Sequence, residues 1–325
     1  MKLTVVIPTY KADGALDDCL ASLQAQTFRD FQTIVVANGP LSRSLAVEKL
    51  IRNDTNGGYG AAINQGIRAS TSDFILALND DTVLDAKCLD QLVWAMESRY
   101  EIGMCAPQIR LQSSGTLDST GMLIAPDGSS KQRGHGQAAP VNGGRPTHAL
   151  LPSGCAALYR RAMLDEIGLF EEDFFLYCED TDLGLRARWN AWECVYVPNA
   201  IIEHRYSHSS TKASPIKAYY IERNRILVVA RNFPMKAVLL SPFHTLARYF
   251  WHWNLKRKGQ GLAAHYDGSE SIALILLRAW RDALLELPKA FRQRRQIRSK
   301  ARLSAVQFQK LIDSYRISSR EVAAL

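Results

Sequence analysis

The chain has 325 residues, of which 47% are hydrophobic and 22% charged, a composition that excludes a disordered, collagenous or coiled-coil protein and allows a sizeable core. Forty Lys+Arg against 32 Asp+Glu give a net +8, but residues 1–203 carry 17 basic and 25 acidic side chains (net −8) and residues 204–325 carry 23 and 7 (net +16). An acidic body with a basic tail argues for an anionic partner, lipid or nucleic-acid phosphate, at the C-terminal end, beside the plainer reading of arginine-rich surface helices.

In residues 1–110, short β-rich runs alternate with helical patterns, which predicts βαβ units and a largely parallel sheet. Strands are expected at Leu3–Ile7, Thr33–Val36, Phe74–Leu78 and Gly103–Ile109. Leu16, Leu20 and Leu23 keep helical spacing, as do Leu89, Leu92, Val93 and Met96. Ser113–Pro146 is rich in Gly, Ser and Pro and reads as loops with a hairpin. A strand near Ala156–Tyr159, a helix from about Thr181 to Asn190 and a strand at Cys194–Val197 follow. From Ser214 the pattern is helical, with Pro215, Pro234, Pro242 and Pro288 expected at boundaries. No apolar run reaches the roughly 18 residues of a spanning helix. Ala237–Ala247 is interrupted by Pro242 and His244, and Ile272–Leu277 stops at Arg278. Six cysteines without a C-x-x-C pair suit a reducing compartment, and the N-terminal KLTVVIPTY reads as a strand rather than a secretory leader, so a cytoplasmic protein is expected.

Four segments carry candidate chemistry. Phe74–Leu78 ends at Asn79, Asp80 and Asp81, and paired carboxylates at the carboxyl end of a strand can hold a hard divalent cation or simply cap the following helix. Glu179, Asp180 and Asp182 cluster at a helix start, where the dipole keeps a carboxylate ionised, whether as a cap or as a general base. His204 can supplement an acidic metal site, whereas His208 reads as a structural or surface histidine. Asn53–Gly66 is a glycine-rich turn into a helix beginning near Tyr59, a candidate nucleotide contact that lacks the spaced dinucleotide fingerprint.

The order of these segments is more specific than any one of them. VVIPTY at 5–10, N-x-G at 56–58, LNDDT at 78–82, GLFEEDFFLYCEDTDLGLRAR at 168–188, His204 and YYIERNR at 219–225 together resemble glycosyltransferase family 2, and within it the bacterial rhamnosyltransferase-like and galactofuranosyltransferase-like members. The resemblance covers about residues 3–232. It implies an α/β GT-A fold, a mostly parallel mixed sheet flanked by helices, as a catalytic domain over 1–232, with a basic helical extension over 233–325. It also implies an inverting transfer of a sugar from a nucleoside diphosphate to an acceptor hydroxyl, with Mg²⁺ or Mn²⁺ as cofactor. Carried over by position, Pro8, Thr9 and Tyr10 line the nucleoside pocket with Asn38, and Asn56 and Gly57 form the second nucleotide contact. Asn79 and Asp80 lie near the ribose or diphosphate, Asp81 and His204 are the metal ligands, and Asp180 is the base. Glu179, beside it, is a candidate contact to acceptor or diphosphate. Arg223 meets acceptor or diphosphate, though its guanidinium suits an interhelical salt bridge equally.

Two departures qualify the resemblance. Val36-Ala37-Asn38-Gly39-Pro40 stands where many members have V-D-N-G-S, so an acidic contact near the nucleobase is missing, and the stretch from Pro40 to Asn56 is short enough to predict a trimmed helix–strand unit. The Q-x-x-R-W motif of processive synthases is absent. Asp173 is the alternative base, in a run that looks like a solvated loop edge. A nucleotidyltransferase is the weaker alternative, since Pro8-Thr9-Tyr10-Lys11-Ala12 is not its phosphate loop; a catalytically inactive fold that binds membrane or nucleic acid is another, countered by intact Asp81, Asp180 and His204. The expected partners are therefore a nucleotide sugar, a glycan or lipid-linked acceptor in cell-surface polysaccharide synthesis, and an anionic membrane surface at the inner face, with no nucleic acid. Ile272, Leu276, Trp280, Leu284 and Leu287 form the expected anchoring stripe, or else pack on the catalytic domain.

Overall fold

A computed structural model describes all residues except 42, 141–142, 206–213, 262–265, 267–269 and 325. His208 lies outside the described residues. The chain divides into two units, the first comprising Met1–Met122, Gln132–Phe175 and Ala191–Tyr206, the second Leu123–Lys131, Leu176–Asn190 and Ser207–Leu325. The boundary expected between residues 232 and 233 falls inside the second unit.

In the first unit, β1 (Leu3–Thr9), β2 (Phe31–Asn38), β3 (Lys49–Asn53) and β4 (Phe74–Leu78) lie in the order β4-β1-β2-β3, all parallel. Val5, Val6, Ile7, Ile34, Val35, Val36, Ile75 and Leu76 are fully buried, as a parallel sheet covered on both faces requires. The crossover helices α1 (Gly14–Gln24) and α2 (Tyr59–Arg68) precede β2 and β4, and α3 (Cys88–Glu97) follows β5 (Thr82–Leu84). Asp13 caps α1 by accepting from the Ala15 N–H at 3.0 Å. Among the described residues no helix separates β2 from β3, which is the trimmed unit expected from the short Pro40–Asn56 stretch.

The sheet continues on its other side with antiparallel members. β6 (Ile102–Leu111) carries β7 (Leu117–Ser119), and β10 (Thr147–Ala149) lies at the edge; β11 (Ala156–Arg160), followed by α4 (Arg161–Ile167), pairs with both β4 and β6, while β12 (Glu193–His204) runs parallel to β6 and pairs with β5 and β10. The strand expected at Cys194–Val197 is thus longer, because Pro198 and Asn199 fall in a register shift between Val197 and Ile201 rather than ending it. Two short strands, β8 (Met122–Ile124) and β9 (Ser130–Gln132), form the hairpin expected within Ser113–Pro146.

The second unit is mainly helical, with α5 (Glu179–Trp189), α6 (Pro215–Asn232), α7 (Met235–Arg257), α8 (Ile272–Ser299), α9 (Ala305–Asp313) and α10 (Ser319–Ala324). Trp189 stacks on Phe308 at 3.8 Å and donates its indole N–H to the Asn232 carbonyl at 2.9 Å. Pro215 opens α6 and Pro234 precedes α7, as expected, but Pro242 and Pro288 sit inside α7 and α8. The Ser241 hydroxyl donates at 3.0 Å to the Val238 carbonyl, the acceptor that Pro242 leaves without its N–H. In α8, which packs on α6, the buried residues Ile275, Ala279 and Ala283 lie outside the expected stripe, whose Leu276, Trp280 and Leu287 are half-buried, Trp280 against Glu222, while Ile272 and Leu284 are exposed. Among the described residues, no helix is long and apolar enough to cross a membrane.

Candidate active site

The carboxyl ends of β1, β2 and β4 bring Thr9, Asn38 and Asn79 to one edge of the sheet, the place where open α/β sheets bind ligands. The Thr9 hydroxyl donates to Asp80 Oδ2 at 2.6 Å, Pro8 is half-buried, and Tyr10 is exposed. Asn38 donates to Asn56 Oδ1 at 2.8 Å and to the Gly58 carbonyl at 3.0 Å, and accepts from the Gly57 N–H at 3.0 Å. Asn56 in turn accepts from the Gly58 N–H at 2.9 Å. Gly58 has φ +89°, and a Cβ there would stand 2.3 Å from the Phe175 carbonyl oxygen, so only glycine fits this entry to α2. Asn38 and the adjacent pair Asn56 and Gly57, 18 residues further on, are therefore joined in one preorganised hydrogen-bonded arrangement.

Sheet register builds the acidic part of the site. Antiparallel pairing of Thr82 with His204, and parallel pairing of Leu111 with His204, put Asp81 beside the last residue of β12 and bring β7 close through β6. His204 Nε2 lies 3.4 Å from Asp81 Oδ1, and His204 Nδ1 lies 2.8 Å from Asp118 Oδ2. Asp118 Oδ1 is also 3.1 Å from His135 Nδ1. Asn79 shapes the turn: its carbonyl accepts from the Thr82 hydroxyl at 2.7 Å.

The electrostatics follow from this packing. Asp80 is pushed up to about 6 by burial, with Asp81 and Asp13 adding to the effect and the Thr9 hydrogen bond opposing it. Burial also works against Asp118, yet hydrogen bonds from His135 and His204 prevail and lower it to about 2. Burial opposes protonation of His204, while Cys155, Asp118 and Asp81 around the ring raise its pKa. Adjacent carboxylates with an imidazole nitrogen fit a divalent ion of the Mg²⁺ or Mn²⁺ kind, for which Asp81 and His204 would be the ligands and Asp80 a neighbour. Asp118, Cys155 and His204 also place ligand atoms within 4.8 Å of one another, but burial raises the Cys155 thiol, and a sulfur suits a softer ion.

In the second unit, α5 starts after Tyr177 and Cys178, both with positive φ of +67° and +68°. Asn224 holds this turn by donating to the Leu176 and Tyr177 carbonyls at 2.8 and 2.9 Å. Glu179 is buried, its Oε2 has no hydrogen-bond partner among the described residues, and burial followed by the charge of Asp180 pushes it up to about 8. Asp180 is half-buried, with Oδ1 accepting from the Thr181 N–H at 2.6 Å and the Thr181 hydroxyl at 3.2 Å. Asp182 is fully buried between Arg186 and Arg231, both at 2.8 Å, and accepts from Asn232 at 2.8 Å. Arg223 is buried and paired with Glu286 across α6 and α8, the interhelical arrangement. The alternative base, Asp173, is exposed in the 3-10 turn Glu172–Phe174 of the first unit.

Sequence reasoning missed Asp118 and Asn224. Asp118 lies in a loop-like, glycine-rich stretch with no spacing relation to His204, and only the β6–β7 pairing reveals it. Asn224 lay inside the quoted YYIERNR motif, but its carbonyl partners depend on the fold.

Comparison with known proteins bears on these arrangements. The family model described as glycosyl transferase family 2 matches residues 4–168. N-acetylglucosaminyl-diphospho-decaprenol L-rhamnosyltransferase of Mycobacterium tuberculosis is 27% identical over 265 residues, covering 67% of this chain and 81% of that protein. Among solved structures, S. aureus TarS 1-349 in complex with UDP-GlcNAc superposes with a TM-score of 0.57 at 16% identity, covering 97% of this chain and 91% of the other. The mannosyltransferase PcManGT from Pyrobaculum calidifontis, in complex with GDP-Man and Mn²⁺, gives 0.54 at 15% identity, covering 91% and 84%. These likenesses establish the GT-A fold expected from the motif order. With the family match spanning the strands that carry Thr9, Asn38, Asp80 and Asp81, the chain belongs to glycosyl transferase family 2 and is a glycosyltransferase.

Proposed function

We propose that this glycosyltransferase moves a deoxyhexosyl or hexosyl group, rhamnosyl foremost, from a nucleoside diphosphate to a hydroxyl of a lipid-linked glycan, with inversion and with a divalent ion, in cell-surface polysaccharide synthesis at a membrane. The observation that carries the reading is the approach of His204 Nε2 to Asp81 Oδ1, 3.4 Å, beside an Asp80 whose pKa burial has raised. The relative from M. tuberculosis supports the acceptor class, because its name couples rhamnosyl transfer to a diphospho-decaprenol acceptor.

Asp81 and His204 would hold Mg²⁺ or Mn²⁺, which neutralises charge on a departing diphosphate. The chain's own residues do the rest. Thr9, Asn38, Asn56 and Gly57 seat the nucleoside, their hydrogen bonds already made before it arrives. Asp180 takes the acceptor hydroxyl proton; that oxygen bonds to the anomeric carbon from the face opposite the diphosphate, and the electron pair of the broken C–O bond leaves on the diphosphate oxygen. Thr181 fixes the carboxylate through Oδ1. Glu179, held neutral by burial, can donate a hydrogen bond to the acceptor.

The test is a donor panel of nucleoside-diphosphate sugars with polyprenyl-diphosphate-linked acceptors, with Mn²⁺, Mg²⁺ or chelator. Transfer of one sugar, abolished by chelator, is expected. Full activity in chelator would remove the metal part of the reading, and activity only on soluble glycans would remove the lipid-linked part.

A further inference from the structure

We propose that α7 is an in-plane docking helix whose exposed face enters the boundary between headgroups and acyl chains of an anionic bilayer. This deepens the membrane element of the reading above and depends on nothing about the transfer reaction.

The helix is inverted relative to an ordinary surface helix. What it buries within its own unit is polar: Arg248 donates to Asp127 Oδ2 at 2.6 Å and to Glu222 Oε2 at 2.8 Å, Thr245 accepts from Arg225 at 3.1 Å, and the Tyr249 hydroxyl donates to Glu222. What it leaves outside is apolar: Leu239 and Phe243 are each 68% exposed, Leu246 61%, Phe250 54% and Trp253 55%. Their spacing alternates four and three residues, which aligns them along one side of the helix. Water alone would favour the opposite rotation, so the buried ion pairs hold outward a face that needs an apolar neighbour.

Charge selects the neighbour. Lys236 at the start of α7, and Lys256, Arg257 and Lys258 at its end, are exposed, and the Arg257 guanidinium lies 4.9 Å from the Trp253 ring centroid. No aspartate or glutamate occurs from residue 223 through residue 266. A second copy docked antiparallel on this face would set cations against cations at both ends. An anionic bilayer offers acyl chains to the Leu and Phe side chains, an interface to Trp253 and phosphates to the terminal cations.

The experiment is co-sedimentation of the full chain with vesicles of phosphatidylcholine, with or without phosphatidylglycerol, in the absence of donor and acceptor. The wild type should bind the anionic vesicles and release with salt. The pair Phe243→Ser and Phe250→Ser should lower partitioning about tenfold or more, and Lys256→Gln with Arg257→Gln should shift release to lower salt, with the melting temperature unchanged because these side chains are exposed. Wild type left in the supernatant at low salt, or binding undiminished in the serine pair, overturns the proposal. So does a wild-type dimer that the serine pair dissociates, which would assign the face to a second copy, or loss of binding only in Leu284→Ser with Leu285→Ser, which would assign it to α8. None of these failures touches glycosyl transfer, which is read separately from donor turnover.

Discussion

Asp118→Asn tests the acidic site at its most constrained point. The two oxygens of Asp118 face two ring nitrogens, His204 Nδ1 at 2.8 Å and His135 Nδ1 at 3.1 Å, and the residue is 3% exposed. A carboxylate only accepts, so both rings carry a proton on Nδ1 toward it, and His204 Nε2, beside Asp81, is the nitrogen whose lone pair a metal would take on displacing its proton. Asparagine has the same shape with one acceptor and one donor end. One ring can still donate to its oxygen; the other meets an N–H and must accept through Nδ1, which moves that ring's proton to Nε2. Where the amide nitrogen faces His204, the lone pair offered beside Asp81 is lost. Substitution of such an outer partner of a ligating histidine weakens metal binding by about 10–100-fold. That range corresponds to about 1.4–2.8 kcal/mol. The assay is Mn²⁺ titration followed by the electron paramagnetic resonance of the free ion, on the same preparation whose melting temperature is measured. His135→Ala, which leaves the His204 contact intact, should keep the wild-type affinity. Unchanged Mn²⁺ affinity in a normally folded Asp118→Asn protein would refute the reasoning.

The other predictions concern α5. Asp180→Asn keeps the Thr181 N–H bond and removes the proton acceptor, so transfer should fall about 10²–10⁴-fold with nucleotide-sugar binding retained; near-normal transfer at saturating substrates moves suspicion to Asp173. Asp182→Ala leaves Arg186 and Arg231 buried without their shared carboxylate and should cost about 3–5 kcal/mol in chemical denaturation. Glu179 is raised, so the native state holds its proton after the unfolded chain has lost it: the stabilisation is complete below the ordinary glutamate range and is lost as pH rises to about 8. Across that window the slope is about 1.4 kcal/mol per pH unit, and Glu179→Gln should flatten it in melts compared at about pH 5.5 and about pH 7.5.

The parallel half of the fold was legible because its cause is local. Strands buried on both faces need continuous apolar runs, and Leu3–Ile7 and Phe74–Leu78 supply them with little competition from other patterns. The antiparallel half was less legible because its short strands exist only through pairing. Thr82–Leu84 has no periodicity of its own and becomes a strand by lying against β12, and β12 runs through a Pro-Asn pair that locally reads as a terminator. Pro242 misled for a related reason: the expected break follows from the missing N–H, but Ser241, one residue earlier, supplies the Val238 carbonyl with another donor.

The site divides along the same line between residue type and partner. Asp81 and His204 could be paired from motif order, yet what aligns them is the register of Thr82 against His204, and what orients the ring is Asp118, a residue with no motif at all. The acids of α5 make the point most sharply. Glu179, Asp180 and Asp182 share a helix N-terminus whose dipole favours all three as anions. Packing then separates them. Asp182 meets Arg231, a partner 49 residues along the chain, and becomes an anchor; Glu179 is buried with no partner for Oε2 among the described residues, and its pKa is raised. Asp180 alone of the three is half-buried rather than buried, with Oδ1 accepting from Thr181, and this exposure is what supports its proposal as the proton acceptor. A sequence displays the carboxylates; burial and the groups that fold against each one set how it is held.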